Sequence, residues 1–147
     1  MKKLLIALLT TVVLLQVSAA DAEWLTDLAK AKEKAKTENK LILMNFTGSD
    51  WCAPCKALHK NVFTSAEFVE YAKKNLVLVE VDFPNDKKQS PELKKANAEL
   101  AEKFGVGGFP TVIVLNSDSK ELSKKSAYGG ENSKEFVANI EALKKKN

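Results

Sequence analysis

The sequence contains no arginine, one histidine and two cysteines. Proteins that read phosphates or base edges lean on the planar, bidentate fork of arginine. Here every basic side chain is lysine and the formal net charge is +4. No nucleic-acid partner is expected, and the lysine runs read as solvated surface. Two cysteines are too few for the framework of several disulfides that staples many small exported folds. One histidine and two cysteines also leave a tetrahedral zinc set incomplete. Repeats and low-complexity linkers are missing as well. The one long apolar run, Leu4 to Leu15, is interrupted by Thr10 and Thr11. It is short for a membrane-spanning helix, which takes about 20 apolar residues.

What is present bounds the class. A chain of 147 residues holds one ordinary domain. Its 45% hydrophobic and 29% charged content is that of a soluble globular protein. The apolar run follows Lys2 and Lys3 and precedes the small residues Val17-Ser18-Ala19-Ala20. A basic start, a short apolar stretch and small residues at the end form a cleavable export signal, with a membrane anchor as the alternative. Cleavage after Ala20 or Ala22 fits, which divides the chain into a leader, 1–20, and a domain, 21–147. The domain is then expected in the periplasm or outside the cell. Losing Lys2 and Lys3 lowers the formal charge from +4 to +2.

Export gives the cysteines meaning. Cys52 and Cys55 would meet an oxidising compartment, and a bridge between them closes a very small loop that constrains little of the unfolded chain. Such a pair is poorly placed as a staple and well placed as a switch.

Along the domain, Trp24, Leu28, Ala31 and Ala35 recur at helical spacing and predict a helix over 22–38 with Asn39 as its stop. Leu41 to Phe46 is a short apolar run, expected as a buried central strand. The cysteine motif follows, with a helix over about 53–61. Thr64 with Glu67 forms a capping box, and Phe63 with Phe68 a hydrophobic staple, for a second helix ending near Asn75. Leu76 to Val81 predicts a strand with Val77, Val79 and Val81 on one face. Phe83 to Gln89 is a polar loop. Ser90 and Pro91 open a helix carrying Leu93, Ala96, Asn97, Leu100, Ala101 and Phe104, stopped by Gly105. Thr111 to Leu115 and Glu121 to Tyr128 form a hairpin. Asn132 and Glu135 cap a last helix whose apolar face is Phe136, Ile140 and Leu143. The fold class is α/β: a mixed central sheet with helices on both faces.

The chemistry centres on Trp51-Cys52-Ala53-Pro54-Cys55-Lys56. A strand hands over to a helix here, so Cys52 falls at the helix N-terminus, where unpaired N–H groups and the helix dipole favour a thiolate. Cys55, nearly one turn on, faces inward. Cys52 would attack a substrate disulfide, and Cys55 would then attack Cys52 and release reduced substrate. Pro54 rigidifies the first turn, and Lys56 completes the motif. Trp51 either docks substrate or simply packs. Two other readings stay open: a metal site in which Cys52 and Cys55, with His59 as a third donor, hold Cu(I) or zinc, and an inert structural bridge. His59 reads equally as an exposed helix residue. A second element is Gly108-Phe109-Pro110-Thr111. A proline just before a strand cannot donate to a ladder and marks a tight turn.

The strand 41–46, the motif 51–56 and Phe109-Pro110-Thr111 before a hairpin and terminal helix together resemble the thioredoxin superfamily over nearly all of residues 21–147. The segment from Phe46 to Cys52, with Val62, Phe63 and Phe68, is similar to exported bacterial thioredoxin-like proteins. It is also similar to the C-terminal domain of the disulfide interchange protein DsbD. The resemblance implies a thioredoxin fold and disulfide oxidoreductase activity, with no cofactor beyond the Cys52–Cys55 redox pair and no metal. It implies Pro110 as a cis-proline, and a Phe109 backbone that pairs with an extended substrate segment. The partners expected are protein thiols and disulfides and a thiol electron donor in the membrane or in solution; the chain is expected to be a monomer. The runner-up functions are a copper- or zinc-binding protein and a non-catalytic binding module. One position departs from the family: its buried aspartate, the proton acceptor for the inner cysteine, is Asn45 here, and an amide is no general base. Asp50 and Glu80 are the candidate replacements, although Glu80 reads first as a surface residue on an alternating strand.

Overall fold

The structure is a computed structural model that describes residues 21–146. The expected leader lies outside the described residues. Five strands, β1 (Trp24–Leu25), β2 (Leu41–Thr47), β3 (Leu76–Asp82), β4 (Thr111–Leu115) and β5 (Glu121–Ser126), form one sheet in the order β1-β3-β2-β4-β5. Five helices accompany it: α1 (Leu28–Glu38), α2 (Ala53–Leu58), α3 (Ala66–Asn75), α4 (Pro91–Lys103) and α5 (Ser133–Lys145). No helix among the described residues is long and apolar enough to cross a membrane.

Both faces of the sheet are covered, which is why β2 is buried at every position. Alternation sorts its side chains. Leu41 and Leu43 join Leu78, Phe63, Phe68 and Phe136 on the face packed by α3 and α5. Ile42, Met44 and Phe46 join Val77, Val79 and Val81 against Leu28, Ala31 and Ala35 of α1, with Leu100 and Phe104 at the margin.

Several local expectations are corrected. The first helix begins at Leu28, because Asp27 caps it by accepting from the N–H groups of Ala29 (2.8 Å) and Lys30 (3.2 Å). The residues before it pair instead with the sheet edge, Trp24 opposite Leu78 and Leu25 opposite Val79. The motif helix widens into a π-type turn over His59–Phe63. The Thr64 hydroxyl closes that turn by donating to the Lys60 carbonyl, so the cap of α3 falls to Ser65, whose Oγ accepts from Phe68 N–H. At the chain's other end the expected box is present: Asn132 accepts from Glu135 N–H, and the Glu135 carboxylate accepts from Asn132 N–H. β5 stops at Ser126, one residue before Ala127, which has a φ of 69°.

Strand direction decides where function can gather. β2 and β3 are parallel and in register, Thr47 opposite Asp82, so their C-terminal ends share one edge of the sheet. β4 runs antiparallel to β2 with Thr111 opposite Phe46, which brings its N-terminal end to that same edge. The segments 48–52, 83–89 and 108–110 therefore converge there.

Candidate active site

Cys52 and Cys55 are joined by a disulfide with their Cα atoms 5.2 Å apart. Cys52 is the N-cap of α2, and its Sγ accepts from the Cys55 N–H at 3.3 Å. Pro54 sits in the first turn, where no N–H is needed. Both cysteines are 4% exposed, so shielding does not separate them; position does. Cys52 lies at the helix start, while Cys55 lines a cavity of about 210 Å³ beneath the motif. Asn45, Thr47, Ser49, Lys56, His59, Glu80 and Lys87 complete its wall.

An apolar ledge flanks the bridge. Trp51 is 47% exposed, and its ring approaches that of Phe109 edge-on at 6.0 Å. Phe109 in turn stacks on Phe83 at 4.9 Å. The Trp51 indole N–H donates to the Phe83 carbonyl (2.8 Å), which fixes the ring orientation. Gly48 makes room for that ring: a Cβ there would fall 2.4 Å from the indole. The Phe109–Pro110 bond is cis. Phe109 precedes the β4 ladder, whose first pairs are Thr111 with Phe46 and Ser126.

The motif loop and the loop after β3 are clamped together. Asp82, buried, accepts from the Ser49 N–H (2.9 Å) and hydroxyl (2.6 Å). The Phe83 N–H donates to the Thr47 carbonyl (2.8 Å). Lys87 Nζ donates to Ser49 Oγ (2.9 Å). The Asp50 carboxylate accepts from the N–H groups of Asn85, Asp86 and Lys87. Those N–H groups, the Asn85 one foremost, hold the Asp50 carboxyl down from 3.8 to about 2. Because the folded value is depressed, the clamp is fully present above 3.8 and is lost as pH falls through about 2. Amide NMR shifts of Asn85, Asp86 and Lys87 should accordingly titrate with a midpoint near 2; a midpoint near 4 would show that the clamp is not formed.

Of the two acids singled out in the sequence, Asp50 is thus engaged with the neighbouring loop. Glu80 is half-buried in the cavity wall with Cys55. Alternation does not carry it to solvent because the sheet is covered on both faces. Burial, then the nearby Asp82, raises its carboxyl above the ordinary value, and Lys87 and His59 oppose that rise. His59 is exposed, and among the described residues no group of three or more His, Cys, Asp or Glu side chains is arranged to hold a metal.

The model of the thioredoxin-like domain matches residues 28–144. The chain belongs to this family. Among its relatives is the disulfide bond reductase DsbH of Chlamydia pneumoniae, 36% identical over 108 residues that make up 74% of this chain and 64% of DsbH. The thiol:disulfide interchange protein DsbD of Actinobacillus pleuropneumoniae is 28% identical over 78% of this chain and 18% of DsbD. The chain therefore spans less than two thirds of either relative. A solved structure of a DsbH oxidoreductase superposes with a TM-score of 0.78 at 31% identity, covering 87% of this chain and 88% of that one. In this thioredoxin-like setting the residues overlooked in the sequence are Phe83, Ser49, Asp82 and Lys87. One signal did mark Phe83: a lone aromatic in a polar run, directly after a buried strand that ends beside the motif.

Proposed function

We propose that the chain is an exported thiol–disulfide oxidoreductase that reduces protein disulfides. The carrying observation is the Cys52–Cys55 bridge at a helix N-terminus beside the Trp51–Phe109–Phe83 ledge. In the reduced form, Cys52 thiolate is stabilised by the N–H groups of the first turn of α2. It attacks one sulfur of a substrate cystine, forming a mixed disulfide and releasing the other sulfur. Cys55 then attacks Cys52 Sγ, the bond to substrate breaks, and substrate leaves with both sulfurs reduced. The Phe109 backbone offers strand-like hydrogen bonds to an extended substrate segment, and Trp51 and Phe83 take its apolar side chains. The two thiols suffice for this chemistry, and a membrane or soluble thiol protein would restore them.

Three features support the reducing direction and export: Pro54 inside the motif, apolar Phe109 before Pro110, and the leader expected over residues 1–20. The relative DsbH is a disulfide bond reductase, which points the same way. Equilibration with glutathione tests the direction. A reductant should settle near the roughly −270 mV of thioredoxins, whereas a value near −120 mV belongs to a strong oxidant and would overturn the reading. Reduced protein should also precipitate insulin by cutting its interchain bridges, and Cys52→Ser protein should not.

A further inference from the structure

If Cys55 is the resolving thiol, as proposed above, its proton must leave before it can attack, and the family's strand acid is replaced by Asn45. We propose that Glu80, directly across the sheet from Asn45, accepts that proton. The geometry has three parts. Asn45 and Glu80 are register partners on parallel strands, so their side chains share a face on strands about 4.8 Å apart. Both line the cavity that Cys55 lines. Asn45 is 6% exposed, and its Oδ1 has no hydrogen-bond partner among the described residues. A buried acceptor left unpaired is costly. It is satisfied when the neighbouring carboxyl holds a proton to donate, so Asn45 favours the protonated product of the transfer. The acid function has thereby moved one strand over, and the amide left behind is its positioning residue.

The surroundings suit the task. Glu80 forms no ion pair within 4.0 Å among the described residues. The charged or titratable groups around it are Asp82 on its own strand, Lys87 from the following loop, Lys56 and Cys55 from α2, and His59 from the π-type turn. Burial and Asp82 raise the carboxyl above its ordinary value, which makes Glu80 a stronger base than an exposed glutamate. A polar cavity of about 210 Å³ also has room for water to relay the proton. The step balances: the Cys55 proton goes to the Glu80 carboxylate, the Cys55–Cys52 bond forms, the Cys52–substrate bond breaks, and the departing sulfur carries the electron pair away.

A symmetrical nitroaryl disulfide, which releases a coloured thiolate at each exchange, separates the two steps in stopped flow. The first equivalent reports Cys52 and the second reports Cys55. In E80Q the second phase should slow by roughly a hundredfold at pH 7, the lower range of general-base catalysis, with the first within about twofold. The wild-type second phase should hold its rate near neutrality and fall only as Glu80 takes up a proton. In E80Q its logarithm should instead rise linearly with pH. Restoring an acid on β2 in the N45D/E80Q double variant should recover most of the lost rate. An E80Q second phase within about threefold of wild type would overturn the proposal, as would equal slowing of both phases. Release of only one equivalent by the wild-type protein would instead refute the resolving role of Cys55, and the proposal with it.

Discussion

Cys55→Ala protein, reduced and mixed with a cystine-containing protein, should stay covalently joined to it through Cys52, with turnover down by on the order of a thousandfold or more. The reason is geometric. The Cα atoms are 5.2 Å apart within one helical turn, so the second thiol meets the mixed disulfide as an intramolecular nucleophile. Alanine removes that nucleophile and leaves the helix N-terminus, the ledge and Cys52 in place. Non-reducing electrophoresis should show adducts that dithiothreitol dissolves, and peptide mass spectrometry should locate the bond at Cys52. Cys52→Ser should give none. If Cys52→Ser traps partners and Cys55→Ala does not, the two roles are reversed.

Phe68→Ala should have the largest effect on stability, a loss of about 3–5 kcal/mol. The Phe68 side chain is fully buried, with the rings of Phe63 at 5.0 Å and Phe136 at 5.9 Å. Phe63 also meets Phe136 at 5.6 Å and Trp24 at 5.1 Å. Removing the Phe68 ring from this cluster leaves a cavity that rings anchored on the π-type turn and α5 cannot readily collapse into. Such a loss is a large share of the about 5–15 kcal/mol that holds an ordinary domain together. Urea unfolding should show a lower midpoint at unchanged slope, and the melting temperature should fall by on the order of 10 °C. A change below about 1 kcal/mol would mean that the cluster repacks.

Much of this arrangement was legible in the residues. β2 and β3 announce themselves as apolar runs because both faces of the sheet are covered, and Asn132 with Glu135 marks the start of α5 because a capping box is local. What escaped depends on contacts distant in sequence. β1 is two residues whose only reason to be a strand is the edge of β3. The π-type turn over His59–Phe63 has no compositional mark, and it shifted the following cap by one residue, from Thr64 to Ser65. At the site, the motif and Pro110 stood out because their residue types are rare in such positions. Lys87 did not, since only the parallel register of β2 and β3 carries its loop to the motif. Glu80 was misjudged for a related reason: alternation tells which face a residue takes, not what covers that face.

The clamp between the motif loop and the loop after β3 has one more consequence. Its hydrogen bonds run through Ser49, Asp50, Trp51, Asp82 and the backbone of 83–87, and none of them uses a sulfur atom. Opening the bridge is therefore expected to leave the frame intact. The shape offered to a partner is then expected to be the same before and after exchange. With little reorganisation expected between the two forms, affinity for the partner would be governed by the partner's own redox state rather than by a change in this chain.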